Sequence, residues 1–426
     1  MNASMELFRP FKYPLFRRFL LAEFVYRSPI WMVCLLLGVL AQQQHPHSTF
    51  YQGMIGFLYN LPILFLGPLG GALADAISRI LILRWIQVWY LLSSLLMLGA
   101  LYWAHSLMPW ILACALITGM GFGFSAPALN AIIADLITNS SDLAASIGVF
   151  TAAGRMCQFV GYAVGGLMIS WVGVKICFML SALLYVLAFM LLCTINVTSC
   201  RADIKDEKNV SIKHAVTYSF HYFPVRLTLL LTVFIGALVW PYVFQMPLIN
   251  AVYLHGSSQT LGALLGVGGC GGLVGGMVMM LRRSHHYLTR ILAVNLVVIA
   301  FMLIAFSLVR SVAVDYVVIF ILDFALSVFM IVSATFLQQL VTNDIRGRIM
   351  SFYSMAIYGM VPVGCIFFYG TIGEFVNVMH LFLFSGCFLL ALSLWYITVL
   401  NRLRGDALSV FIGKGLVQSE VEINKL

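Results

Sequence analysis

The chain has 426 residues, of which 62% are hydrophobic and 9% charged, with a formal net charge of +9 and a mean hydropathy of +1.00. Soluble domains carry about 25% charged and about 45–50% apolar residues, so a soluble enzyme, a disordered chain and a disulfide scaffold are excluded. Each bilayer-crossing helix takes roughly 20 apolar residues, and with short loops this length holds about twelve of them.

Apolar segments run at 15–41, 50–74, 80–103, 109–136, 144–170, 173–196, 224–249, 259–281, 287–309, 312–340, 348–371 and 377–400. The first opens on Arg17 and Arg18 as a secretory signal would, but its apolar run is longer and lacks a cleavage site, so it is read as a retained span. With the N-terminus inside, 20 of the 24 Lys and Arg face the cytoplasm. Lys175 and Arg310 fall outside, and Arg27 and Arg155 fall within segments. That imbalance predicts a multi-pass membrane protein with both termini cytoplasmic. It also accounts for the basic excess without a nucleic-acid partner. The nine cysteines are scattered singly, and neither His45 with His47 nor His285 with His286 has further ligands nearby, so no metal site is expected.

Residues 197–223 interrupt the apolar pattern. They divide the chain into an N-terminal six-helix bundle (1–196), a cytoplasmic linker (197–223), a C-terminal six-helix bundle (224–400) and a cytoplasmic tail (401–426). From Val210 to Tyr222 the linker reads either as an amphipathic surface helix or as a solvated connection. The halves repeat: Leu136-Ile137-Thr138-Asn139 recurs as Leu340-Val341-Thr342-Asn343, and Gly70-Gly71 with Arg79 recurs as Gly275-Gly276 with Arg283. The expected fold is all-α, twelve transmembrane helices in two pseudo-symmetric bundles with a site between them.

Charges inside apolar segments are costly, at least about 2.5–3.5 kcal/mol each at a helix centre, and so mark a cavity or a partner. Glu23 precedes Arg27 by one helical turn, the order that favours an ion pair. Arg155 and Asp323 each sit about eleven residues into their segments, roughly 16 Å deep at 1.5 Å per residue. The N-terminal half carries Glu23, Arg27 and Arg155, a net charge of +1, and the C-terminal half carries Asp323. An arginine fork suits a carboxylate or phosphate better than a cationic drug. The alternative is a closed structural network in which Glu23 neutralises one arginine and Asp323 the other. Asn60, Gln158 and Gln245 are candidate hydrogen-bonding groups for cargo, and Trp240 with Tyr26, Trp31 and Tyr242 a candidate aromatic wall. For proton coupling the candidates are Asp323, which has no basic neighbour in its own segment, and Glu23.

The eight glycines at 262–276 lack the lysine-serine/threonine ending of a phosphate loop and lie within an apolar segment. They read as close helix packing. No nucleotide or other cofactor is expected, so the energy comes from an ion gradient or a partner.

Between the second and third segments the chain reads GPLGGALADAISRILILR (67–84). Its small residues favour close helix approach, and Asp75 and Arg79 are spaced to latch the cytoplasmic ends. Gly71, Asp75 and Arg79 match the cytoplasmic signature of the major facilitator superfamily, with Ala76 where a basic residue is usual and Ser78 where glycine is. GYAVGG at 161–166 resembles that superfamily's exporter motif, with Tyr162 in place of the proline. SAPALNAIIADLITNSSDLAAS (125–146) and LQQLVTNDIRGRIMSFYS (337–354) resemble the drug and siderophore exporter branch, which includes enterobactin and macrolide efflux proteins. The resemblance implies the major facilitator fold and a gating motif made of Gly71, Asp75, Arg79, Asp344, Arg346 and Arg348. It further implies proton-coupled export of an amphipathic small molecule by alternating access, a carboxylate siderophore for example. The rivals are an importer on the same fold and a lysophospholipid flippase.

Overall fold

The computed structural model describes residues 9–137, 140–195, 212–282, 287–341 and 343–413. Among them, all regular structure is helical. A short turn, Arg9–Lys12, leads into α1 (Pro14–Gln44), α2 (Thr49–Ala76), α3 (Arg79–Trp103) and α4 (Met108–Leu136). The helical stretch Ser140–Cys193 passes through Gly173, whose φ of 81° and ψ of 168° are not helical. Its 54 residues would reach about 80 Å as one rod, far beyond a bilayer. Contacts at its two ends show that it turns back. Asp142 and Leu192 lie at the same end of the bundle as Lys12 and Arg84, whereas Lys175 stacks on Tyr102 at the other. The two limbs are α5 (140–172) and α6 (174–193), so the eleven apolar stretches long enough to cross a membrane make twelve crossings.

The second half opens with the linker helix α7 (Ile212–His221), which exposes Phe220 and Val216. Of the two readings left open for the linker, the helix is the one observed over 212–221; residues 196–211 lie outside the described residues. There follow α8 (Phe223–Leu238), α9 (Tyr242–Val252), α10 (Ser258–Arg282), α11 (Leu288–Leu308), α12 (Val312–Leu340), α13 (Asn343–Tyr358) and α14 (Val378–Gly413). The seventh apolar segment is thus broken between α8 and α9, where Pro241 supplies no N–H to continue the ladder. The eleventh continues from α13 through a short turn, Met360–Val363, into a π-helical stretch, Gly364–Ile372. The last helix runs on from the apolar segment into the tail as far as Gly413.

Lipid offers no hydrophobic drive between helices, so close backbone approach replaces it. The α5–α10 crossing shows this best. A Cβ on Gly262 would lie 2.5 Å from Gly166 Cα and 2.5 Å from the Tyr162 carbonyl oxygen. Bare glycine at both positions is what lets these two helices, from opposite halves, touch. Exposed Trp103, Trp110 and Trp171 sit near helix ends, as interface anchors do.

The two ends of the bundle differ. At the end bearing the linker helix, Lys12 pairs with Asp142 at 2.5 Å and the Tyr13 hydroxyl donates to the same carboxylate at 2.9 Å. The Lys12 hydrogen bond holds the Asp142 carboxyl below its usual range, with Tyr13 adding to it, and the pairing raises the Lys12 ammonium in turn. A carboxylate lowered in the folded protein stabilises it above its unfolded value, about 3.9, and stops doing so as pH falls through the lowered value. The tether of residues 9–13 to α5 is therefore expected to hold unchanged from pH 7 to pH 5. Asp142→Asn should free it at pH 7, read as faster cleavage of residues 9–13 by a soluble protease.

A charged centre between the two halves

At the far end the halves are in contact on three sides. Glycines 166 and 262 join α5 to α10. Pro247 of α9 packs on Gly38 of α1, where a Cβ would meet its ring at 2.6 Å. Between α2 and the π-helical stretch, the Thr49 hydroxyl donates to the Gly370 carbonyl at 3.1 Å. Just beyond that stretch, Glu374 accepts from the Ser48 hydroxyl at 2.5 Å and from the Phe50 N–H at 2.7 Å. A carboxylate from one half thereby caps the first turn of a helix in the other.

Toward the linker end the same halves part. A space of about 490 Å³ lies between α2 and α4 on one side and α13 on the other, bordered by Gly67, Gly71, Pro127, Gly347, Met355 and Tyr358. A second, of about 190 Å³, lies between α5, α10 and α12.

Arg155 borders the second space with Thr151, Gly276, Met277, Met280 and Ser327. It lies about 22 Å along α5 from residue 140, and Asp323 about 25 Å along α12 from Leu340, so the two are nearly level. The Arg155 guanidinium donates to Gln158 Oε1 at 3.1 Å and, among the described residues, makes no ion pair. Asp323 is buried and accepts a hydrogen bond from the Tyr242 hydroxyl. Arg155 acts on it electrostatically without touching it. Gly268 of α10 makes room for the carboxylate, because a Cβ there would overlap Asp323 Oδ2.

Glu23 and Arg27 pair with each other across one turn of α1. Glu23 is fully buried, and among the described residues its second oxygen has no protein partner, nor do the Tyr26 hydroxyl or the Trp31 indole N–H. The Arg27 guanidinium lies 5.7 Å from the centre of the Phe150 ring. Of the two network arrangements the sequence left open, Glu23 with Arg27 is a closed pair, whereas Arg155 faces Asp323 without closing on it.

The structure brings Arg155, Gln158, Asp323 and Tyr242 together and sets Asn60, Gln245 and Trp240 apart. Asn60 donates to the Gly56 carbonyl of its own helix at 2.9 Å. Gln245 donates to the Thr49 carbonyl at 3.2 Å and belongs to the far-end contact. Trp240 sits at the α8–α9 break, its indole N–H buried without a partner.

The spacing of Asp75 and Arg79 does not place them on one helix. α2 ends at Ala76, Ile77 is extended, and Arg79 starts α3. Arg79 pairs with Asp135 at the end of α4, at 2.7 Å. The side chains of Asp75 and Asp344 lie outside the described residues. Gly71 borders the larger space, Arg346 is exposed, and one terminal nitrogen of Arg348 is buried without a partner. Sequence reasoning missed Asp135, Glu374 and Gly268. Asp135 had a signal, since it lies inside the stretch 125–146; Gly268 had none among its neighbouring glycines.

Two six-helix halves, closed at one end and parted at the other around buried charges, define a membrane transporter. The family model described as "Transmembrane secretion effector" (MFS_3) matches residues 6–410, and the chain belongs to that family of the major facilitator superfamily. No curated protein matches it by sequence. A point variant of the nucleoside transporter NupG superposes with a TM-score of 0.73 at 13% identity, covering 90% of this chain and 99% of that one. The D-xylose-proton symporter gives 0.68 at 16% identity, with 89% and 97% covered. A bacterial homologue of the human lysosomal transporter Spinster, inward-facing and unoccupied, gives 0.62 at 14%, with 94% and 98% covered. These likenesses establish the shared fold.

Proposed function

We propose that the protein exports an amphipathic small molecule bearing an anionic group, such as a carboxylate siderophore, in exchange for protons by alternating access. The observation that carries this reading is Arg155. Its guanidinium sits near mid-membrane on a space of about 190 Å³, held by an amide and not by a carboxylate. A fork left with unsatisfied donors beside an accessible space suits a bidentate anion. Met277 and Met280 offer an adaptable apolar wall for the rest of the cargo. Asp323 is the proposed proton carrier. Glu23, Arg27, Asn60, Trp240 and Gln245 are proposed to line or brace the path.

The bundle's orientation follows from its basic residues. Lys12, Arg79, Arg84, Arg226, Arg282, Arg346 and Arg402 gather at the linker end, against Lys175 and Arg310 at the far end. The positive-inside rule favours a cytoplasmic linker end, and a bacterial inner membrane is the proposed setting. The spaces then open inward, where an exporter loads, and the family's description as a secretion effector supports the same direction. A lipid cargo is the second reading. It is favoured by the gap of about 490 Å³ between α2 and α13, flanked by exposed Phe65 and Leu69.

Everted vesicles with an acid interior and a pH-sensitive dye test both. Addition of a carboxylate siderophore should collapse the gradient, and Arg155→Ala and Asp323→Asn should each abolish that response. Collapse with cationic dyes or macrolides alone would overturn the anionic cargo. Silence toward the whole panel, with a response to lysophospholipid, would replace it with the lipid reading.

A further inference from the structure

We infer that Tyr242 is a positioning residue that ties the far-end gate to Asp323, through the short helix α9. The inference rests on the reading of Asp323 as proton carrier and adds how its charge reaches the gate.

The eleven-residue helix α9 supplies one of the three contacts between halves at the far end. Gln245 donates to the Thr49 carbonyl of α2, Pro247 packs on Gly38 of α1, and Phe244 lies against Gly56, with its ring centre 5.9 Å from that of Tyr59. The break at Val239–Pro241 separates α9 from α8. To its own half α9 is held by polar bonds at both ends. At the outer end the Asn250 amide donates to the carbonyls of Gly256 and Ser257 at 2.9 and 3.1 Å. At the foot, the Tyr242 hydroxyl donates to Asp323.

A carboxylate is a much stronger acceptor than a neutral carboxylic acid. While Asp323 is ionised, its bond to Tyr242 fixes the foot of α9 and keeps the gate contacts in place. A proton added to the carboxylate removes the charge that Tyr242 was donating to. The foot of α9 is then free to swing about the break, taking Phe244, Gln245 and Pro247 with it. Among the described residues, the titratable or charged groups that act on Asp323 are Tyr242 from α9 and Arg155 from α5. From α10 the facing residue is Gly268, which has no side chain. Asp315, on the same helix, is two turns outward and interacts with Arg310. The device has a functional meaning. An empty, ionised carrier stays shut at the far end, which closes one route of leakage.

Hydrogen–deuterium exchange of the full-length protein in lipid nanodiscs, without cargo or gradient, reads the gate directly. After correction for intrinsic rates, Tyr242→Phe should speed exchange of segments 242–252 and 49–56 at pH 8 by at least about tenfold, as expected for loss of a hydrogen bond to a charged group. Asp323→Asn should do the same, and the double variant no more than either alone. Gly268→Ala, which crowds the carboxylate, should resemble Tyr242→Phe. The wild type should speed up on acidification and Tyr242→Phe should not. Segment 80–103 should be unchanged throughout, which separates gate opening from general loosening.

Wild-type rates in Tyr242→Phe, or additive effects in the double variant, would overturn the inference. These results are independent of transport. A gate that responds while Asp323→Asn vesicles keep proton-driven efflux would remove the carrier role and leave the tie standing. A silent gate with lost proton coupling would do the reverse.

Discussion

Gly262→Val is expected to leave the protein inserted in the membrane while lowering transport ten- to a hundredfold. The added Cβ would meet backbone atoms, Gly166 Cα and the Tyr162 carbonyl, both at 2.5 Å. Backbone cannot rotate away as a side-chain tip can, so α5 and α10 must separate. Overpacking of this kind costs about 1–3 kcal/mol. Borne by the closed far end alone, that amounts to a ten- to hundredfold fall in its population. Gly99→Ala on α3, away from both spaces, is the control. Its Cβ would find only the Trp103 ring, at 3.8 Å, which is ordinary contact. Initial transport rates of the two variants in vesicles of equal protein content check the difference. Equal activity would mean that far-end closure does not depend on this crossing.

Arg27→Met is expected to cost the folded protein about 3–5 kcal/mol, because it leaves the fully buried Glu23 carboxylate without its cation. Replacing both partners, Glu23→Gln with Arg27→Met, should recover most of that loss, since the stranded charge is gone. Unfolding in detergent titrated with sodium dodecyl sulfate measures the three variants against the wild type. A double variant as unstable as Arg27→Met would show that the pair's geometry matters and not its charge balance. The cycle also tests whether Arg27 serves cargo. If it does, the stable double variant should still lose transport, whereas a purely structural pair should leave transport intact.

The twelve crossings were legible in the sequence because apolar length is a local property and hydropathy reports it directly. The charges of Glu23, Arg27, Arg155 and Asp323 stood out for the same reason, each being an expensive exception in an apolar run. What escaped were relations between distant residues and departures from the ideal helix. Ile77 is extended and separates Arg79 from α2, and Arg79 pairs with Asp135, 56 positions away. Glu374 reaches Ser48 across 326 positions, and no periodicity encodes such a pairing. The π-helical stretch 364–372 is as apolar as any helix around it, so composition could not mark it. Gly268 was visible only as one of eight glycines, and its importance depends on the carboxylate opposite.

The cap that Glu374 places on α2 makes one helix's first turn conditional on the position of the other half. When the halves part at the far end, the Phe50 N–H loses its acceptor, and the Ser48 hydroxyl loses one with it. Both bonds are exposed at the end of the bundle, so water already there can take the carboxylate's place as it leaves. Losing the cap therefore costs opening only the exchange of a charged acceptor for a neutral one.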